Sequence, residues 1–230
     1  MIYSESGEKT MYDILLKSHF VNGNYRKVQQ NELISGTAKH DLSHVLNVVA
    51  LVESVLIQLD VEANLIESAK IAALLHDVGC VDGKKGHALR SYTMVSDYFV
   101  EQNINIPYHD EVLNAIKHHG SGYDRQELIT LTLIMCDKLD LTMARLAPEG
   151  FETPGIRQLQ FIKDVHITIR HHECEIDFLT YKDINVEELN SFSFLDKTFA
   201  SIGAFCEFND LTPCVRMDGV VWQRPLMSSL

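Results

Sequence analysis

Leu74-Leu75-His76-Asp77-Val78-Gly79 is the stretch on which the fold of this chain turns. Upstream of it, Leu65, Ile66, Ala69, Ala72, Leu74 and Leu75 recur at helical spacing and predict a helix over residues 62–78. Gly79 stands where a C-terminal cap belongs. An imidazole and a carboxylate are therefore adjacent in the last turn of an apolar helix. Neighbouring helical residues diverge by about 100°, so the pair suits two nearby ions. Asp77 has two oxygens and can bridge them, whereas His76 binds one.

Further metal-ligand side chains lie outward from this stretch: His44, His87, the pair His118-His119, and Asp137. Imidazole nitrogen mixed with carboxylate oxygen is the donor set of a catalytic site for a first-row divalent metal. Each donor falls within or at the end of an apolar-periodic segment. The segment 42–59 carries Val45, Val48, Val49, Val52, Val55, Leu56 and Leu59 at helical spacing, with Asp41 or Ser43 to cap its start. Residues 80–86 read as a Gly/Lys/Asp loop, and helices are expected after it over residues 87–102 and 109–119. Residues 126–147 are apolar and free of Gly and Pro, which predicts a central buried helix with Asp137 in its middle. A carboxylate in such a helix is costly unless it meets a cation. Several helices delivering donors to one pocket point to metal-assisted hydrolysis.

The rest of the chain reads differently. Met11, Ile14, Leu15 and Phe20 predict a short helix over residues 11–20, and Val21-Asn22-Gly23-Asn24 signals a turn. Pro148, Gly150, Pro154 and Gly155 mark a connection. Beyond it, Val165, Ile167 and Ile169, then Cys174, Ile176 and Phe178, alternate with polar residues as two strands of a hairpin. Residues 194–207 read as a helix, and residues 215–217 with 220–221 as another strand region. The expected class is mainly α: a helical metal-binding domain over residues 1–155, then a small α+β appendage with an antiparallel sheet over residues 156–230. Phe192, Phe194, Phe199, Phe205 and Phe208 are assigned to the appendage core.

Composition narrows the function. Lys+Arg number 20 against Asp+Glu 32, a formal charge of -12 that repels a nucleic-acid backbone and argues against duplex binding. A small phosphorylated substrate drawn to local cations remains compatible. The cysteines, Cys80, Cys136, Cys174, Cys206 and Cys214, are odd in number and none is spaced as CxxC, so reduced thiols and a cytoplasmic location are expected. Met1 to Thr10 is polar and acidic, unlike a signal peptide. No apolar run approaches the roughly 18 residues that span a bilayer.

The hexapeptide at residues 74–79 strongly resembles the signature of the HD-domain superfamily of metal-dependent phosphohydrolases. Asp41-Leu42-Ser43-His44-Val45 resembles that family's first ligand motif, and residues 134–140 the segment carrying its last aspartate. The resemblance covers about residues 36–147. It implies a helical bundle in which His44, His76, Asp77 and Asp137 hold metal. Two-metal members add histidines in between, where this chain has His87 in Gly86-His87-Ala88 and His118-His119 in Ile116-Lys117-His118-His119-Gly120. It also implies hydrolysis of a phosphomonoester or phosphodiester of a small metabolite or nucleotide. The nucleophile would be a hydroxide between two cations about 3.5–4 Å apart. Asp77 would serve the reaction with Lys84 and with Asp82 as a proton-handling carboxylate, and Lys85, Lys138 and Arg145 are the remaining phosphate-binding cations. One or two divalent ions are implied. Iron or manganese suits the donors, and ligand type does not choose among these, Zn, Ni, Co and Mg.

Other branches differ. Gly120-Ser121-Gly122-Tyr123-Asp124 is similar to a segment of the HD-GYP cyclic-dinucleotide phosphodiesterases, without their proline or the glutamate after the paired histidines. Cys80 stands where the nucleoside-monophosphate-cleaving branch has an acidic residue. The alternatives are a catalytically silent nucleotide-binding or signalling module, a di-iron oxygenase, and a scaffold dimerising through its appendage. His40 is expected at the surface or orienting a ligand, His171-His172 in a solvated turn, and Cys136 as an inert core thiol.

Overall fold

The computed structural model describes residues 9–223, so most of the Met1–Thr10 segment lies outside the described residues. Helices α1 (Met11–Leu16) and α2 (His19–Ile34) open the chain. The turn expected at Val21-Asn22-Gly23-Asn24 is instead the start of α2. Ser18 caps the helix by accepting from Val21 N at 3.2 Å. The Asn22 and Asn24 amides donate to carbonyls one turn back, at 2.9 Å to Ser18 O and 2.9 Å to Phe20 O. Burial of Val21, Tyr25 and Val28 on one face outweighs the local preference of Asn and Gly for turns.

Helix α3 (Leu42–Gln58) starts at Asp41, whose Oδ1 accepts from Ser43 N at 3.0 Å and His44 N at 3.3 Å. It packs on α4 (Ala63–Leu75). The helix predicted to reach residue 78 ends earlier: His76 is its C-cap, and Val78–Asp82 continue as a 3₁₀ turn. Gly79 is therefore no left-handed cap. Its role is close packing, because a Cβ there would lie 2.5 Å from His87 O and 2.5 Å from Ser91 N. Helices α5 (His87–Glu101), α6 (His109–His118) and α7 (Leu128–Leu139) complete the bundle. The long helix expected over residues 126–147 stops at Leu139. Asp140 leaves helical geometry at ψ 74 and turns its carboxylate toward α3, which places Asp137 in the last turn and not mid-helix.

After 3₁₀ turns at Met143–Arg145, Pro148–Phe151 and Ile156–Phe161, the hairpin β1 (Ile162–Arg170) and β2 (Glu173–Thr180) forms as its alternation predicted. Helices α8 (Val186–Asn190) and α9 (Phe194–Phe208) lead to β3 (Thr212–Met217) and β4 (Val220–Val221). The sheet order is β1-β2-β3-β4. The expectation of an antiparallel sheet is corrected: β2 and β3 pair in parallel. The α8–α9 crossover returns the chain to the end from which β2 started, as a parallel pair requires.

The fold is thus mainly helical with a small four-stranded sheet. One apolar cluster runs from Leu15 and Tyr25 through Val52, Leu74 and Met135 to Ile176, Phe178 and Phe205. Helix α9 lies on α7, where Thr198 Oγ1 donates to Lys138 O at 3.2 Å. No helix among the described residues is long and apolar enough to cross a membrane.

Candidate metal centre

The ends of α4, α6 and α7 and the starts of α3 and α5 meet at one buried place. His44 Nε2 lies 3.2 Å from Asp137 Oδ1 and 3.6 Å from Asp77 Oδ2, and His76 Nε2 lies 3.3 Å from Asp77 Oδ2 and 3.8 Å from Asp137 Oδ1. Donors bound to one ion at about 2.0–2.2 Å stand roughly 3–3.5 Å apart, and His44, His76 and Asp77 come together as a group that could hold one ion, with Asp137 Oδ1 beside both imidazoles. A second group adjoins them through the other oxygen of Asp77. Asp77 Oδ1 is 3.2 Å from His87 Nε2 and 3.5 Å from His119 Nε2, and the two nitrogens are 2.8 Å apart.

The partners of the other ring nitrogens fix the tautomers. His76, His87 and His119 each set Nδ1 2.7 Å from the carbonyl three residues earlier, Ala73 O, Lys84 O and Ile116 O respectively. His44 Nδ1 lies 2.6 Å from Asp140 Oδ2. An oxygen of this kind only accepts, so each Nδ1 donates and each Nε2 presents a lone pair. The centre is then a cluster of acceptors. His44 Nε2, His76 Nε2, Asp77 Oδ2 and Asp137 Oδ1 are buried with no hydrogen-bond partner. Buried acceptors facing one another are costly without a cation between them, and the residues therefore fit divalent metal. Two donor groups could hold an ion among the described residues, His44/His76/Asp77 and Asp77/His87/His119, and Asp137 Oδ1 adjoins the first at 3.2 Å from His44 Nε2.

Charge tells the same story. Burial pushes the His76 imidazole down, but Asp77 and Asp137 outweigh it and raise it to about 10, as two carboxylates facing one imidazole require. Burial works against the charged forms of Asp77 and Asp137. Even so, His76, His119 and His87 hold Asp77, and Lys138, His44 and His76 hold Asp137, well below the usual carboxylate range.

Of the remaining predicted residues, His118 does not join: the Arg125 guanidinium lies 3.1 Å from its Nε2, outside the cluster. One residue later, His119 caps α6 and turns inward; the helix phase separates the pair. Lys138 Nζ donates to Asp137 Oδ2 and, at 3.4 Å, to His119 O. Arg145 Nη2 reaches to 3.7 Å from Asp137 Oδ1, and its Nη1 is buried without a partner. Lys84 is exposed at the rim, its ammonium pushed down by partial desolvation and by Arg145. Asp82 and Lys85 are exposed on the same loop, and neither side chain makes a hydrogen bond or ion pair with the cluster among the described residues. That loop is stapled by Arg90, whose Nε donates to Gly79 O at 2.7 Å and whose Nη2 donates to Gly83 O.

Four supporting residues carried no prediction. Asp140 holds His44, and Asn47 Nδ2 donates to its other oxygen at 3.4 Å. Glu32 accepts from His40 N at 2.8 Å and sits 2.7 Å from His40 Nδ1, fixing that ring edge-on to His44. Burial, and then Arg145, keep His40 well below its ordinary range. Tyr25 OH donates to Leu74 O at 2.8 Å, tying α2 to the end of α4. Asp140 belongs to the same polar interruption as Asp137 and carried a signal; Glu32 had none.

Residues 41–145 match the family model described as the HD domain. No curated protein matches the chain.

Proposed function

With residues 41–145 matching the family model of the HD domain, we propose that the chain is a metal-dependent phosphohydrolase for small phosphorylated metabolites, nucleotides first among them. The observation that carries this reading is Arg145. Its guanidinium is buried against the acceptor cluster with one nitrogen unpaired. Lys138 stands on the other oxygen of Asp137. Two divalent ions beside these cations outweigh the two aspartates and leave a surplus of positive charge, which a multiply charged anion with several acceptor oxygens would satisfy.

His44, His76, Asp77 and Asp137 would hold one ion, and Asp77, His87 and His119 the second. When bound, the ions supply Lewis acidity toward a water and toward the phosphoryl oxygens. The chain's own residues do the rest. Asp140 and the three backbone carbonyls keep Nδ1 of each histidine occupied, so every imidazole faces the centre in one tautomer. Arg145 Nη1 orients the phosphoryl group and shares the charge that builds on its oxygens. Lys84, at the rim, meets the anion as it enters. Iron or manganese suits the mixed donors. The proposed setting is cytoplasmic, with the C-terminal sheet domain available for homodimer contacts.

The test is phosphate release across a panel of nucleotides and sugar phosphates with Mn(II) or Fe(II), before and after chelation. Turnover abolished by chelator and restored by metal is expected. Arg145→Met should lower kcat/KM by about 10²–10³-fold with metal content unchanged. Product formation that requires oxygen and releases no phosphate would replace this reading with a di-iron oxygenase. Metal binding with no turnover on any member of the panel would leave a silent binding module.

A further inference from the structure

Behind His44, on the side away from the metals, lies a groove of about 430 Å³ between α3, the end of α7 and the start of β1. Its polar residues are Asn47, Asp140, Thr142, Lys163 and Asp164, and Ala50 and Leu51 form one apolar wall on α3. Two features mark it as built. Asp140, only 4% exposed, lines it while its other oxygen grips His44 Nδ1. The β1–β2 ladder also slips between Ile162 and Asp164, so Lys163 is the extra residue of a bulge. Bulges re-aim side chains and cluster near functional sites. Lys163 has no carboxylate partner among the described residues.

We propose that this groove is a second ligand site, for a nucleotide bearing an exocyclic amine, and that its occupancy is felt at the metal centre through Asp140. The ligand chemistry follows from the lining. Asp140 Oδ1 accepts only a long bond from Asn47, so it takes an N–H donor. Ala50 and Leu51 cover a flat ring. Lys163 at the rim takes the phosphate. A ligand N–H on Asp140 draws charge from the carboxylate that holds His44, and His44 becomes a weaker metal donor. By reciprocity, metal weakens the ligand to the same degree. The site does not depend on the phosphohydrolase reading.

The probe is the non-hydrolysable phosphonate analogue of adenosine monophosphate, titrated calorimetrically into the full chain, with Mn(II) affinity followed by electron paramagnetic resonance. Wild type is expected to bind the probe. Ala50→Trp, which fills the groove from an exposed helical position, and Lys163→Glu should each weaken binding at least about tenfold. Arg145→Met should weaken only the component bound at the metal centre and leave the groove-bound component unchanged. Saturating probe should weaken Mn(II) binding about fivefold in wild type and leave it unchanged in Ala50→Trp. The proposal is overturned if wild type does not bind the probe or if both groove variants bind it normally. It fails equally if Arg145→Met abolishes binding or if Mn(II) affinity ignores the probe.

Discussion

The two halves of the centre share Asp77 and little else. In the first, the side chains of His44, His76 and Asp137 are at most 6% exposed, and the residues come from the first or last turns of packed helices. In the second, His87 is 23% exposed and opens a helix directly after an exposed loop, and only His119 is fully enclosed. One half is part of the hydrophobic core; the other is a rim held by Arg90 and Gly79. An ion held in the first half would be fixed by the same packing that stabilises the bundle. One held in the second would depend on local order, and it should exchange faster and respond more to changes in the loop.

The largest effect belongs to the shared residue. Asp77→Asn should empty both halves and cut turnover by at least about 10³-fold, read by elemental analysis and phosphate release. One ion retained in full would show that the halves do not share this carboxylate. Asp140→Asn should act on the first half alone. The neutral amide supports His44 less well, and metal affinity there should fall about ten- to hundredfold, with the second site's affinity unchanged in a two-site Mn(II) titration.

Gly79→Ala should act on the second half alone and more mildly. The new methyl meets the start of α5 and costs about 1–3 kcal/mol. His87 is displaced, and the weaker Mn(II) site loses affinity before the tighter one does. Equal loss at both sites would mean that the rim and the core half are one rigid unit.

The helices were legible wherever a long apolar stripe did the work, as in α3 and α5, because periodicity and burial agree there. Legibility failed where a tertiary contact overrode local preference. Buried Val21 and Tyr25 kept Asn22-Gly23-Asn24 helical. Asp140 ended α7 early to reach His44, 96 positions away. His118 and His119 were indistinguishable because adjacent residues differ only in helical phase, and a frayed last turn leaves that phase open. The parallel β2–β3 pairing was hidden because each strand's alternation is silent about its neighbour's direction.

By itself the sequence determined which atoms can bind metal and that apolar helices carry them, since donor chemistry and periodicity are local properties. The tertiary structure alone decided that the acceptors face one another without partners, that Asp77 serves both groups with separate oxygens, and that Arg145 is left with an unpaired buried nitrogen. Those facts depend on side chains from distant segments sharing a few ångströms of space, and no local pattern encodes that distance.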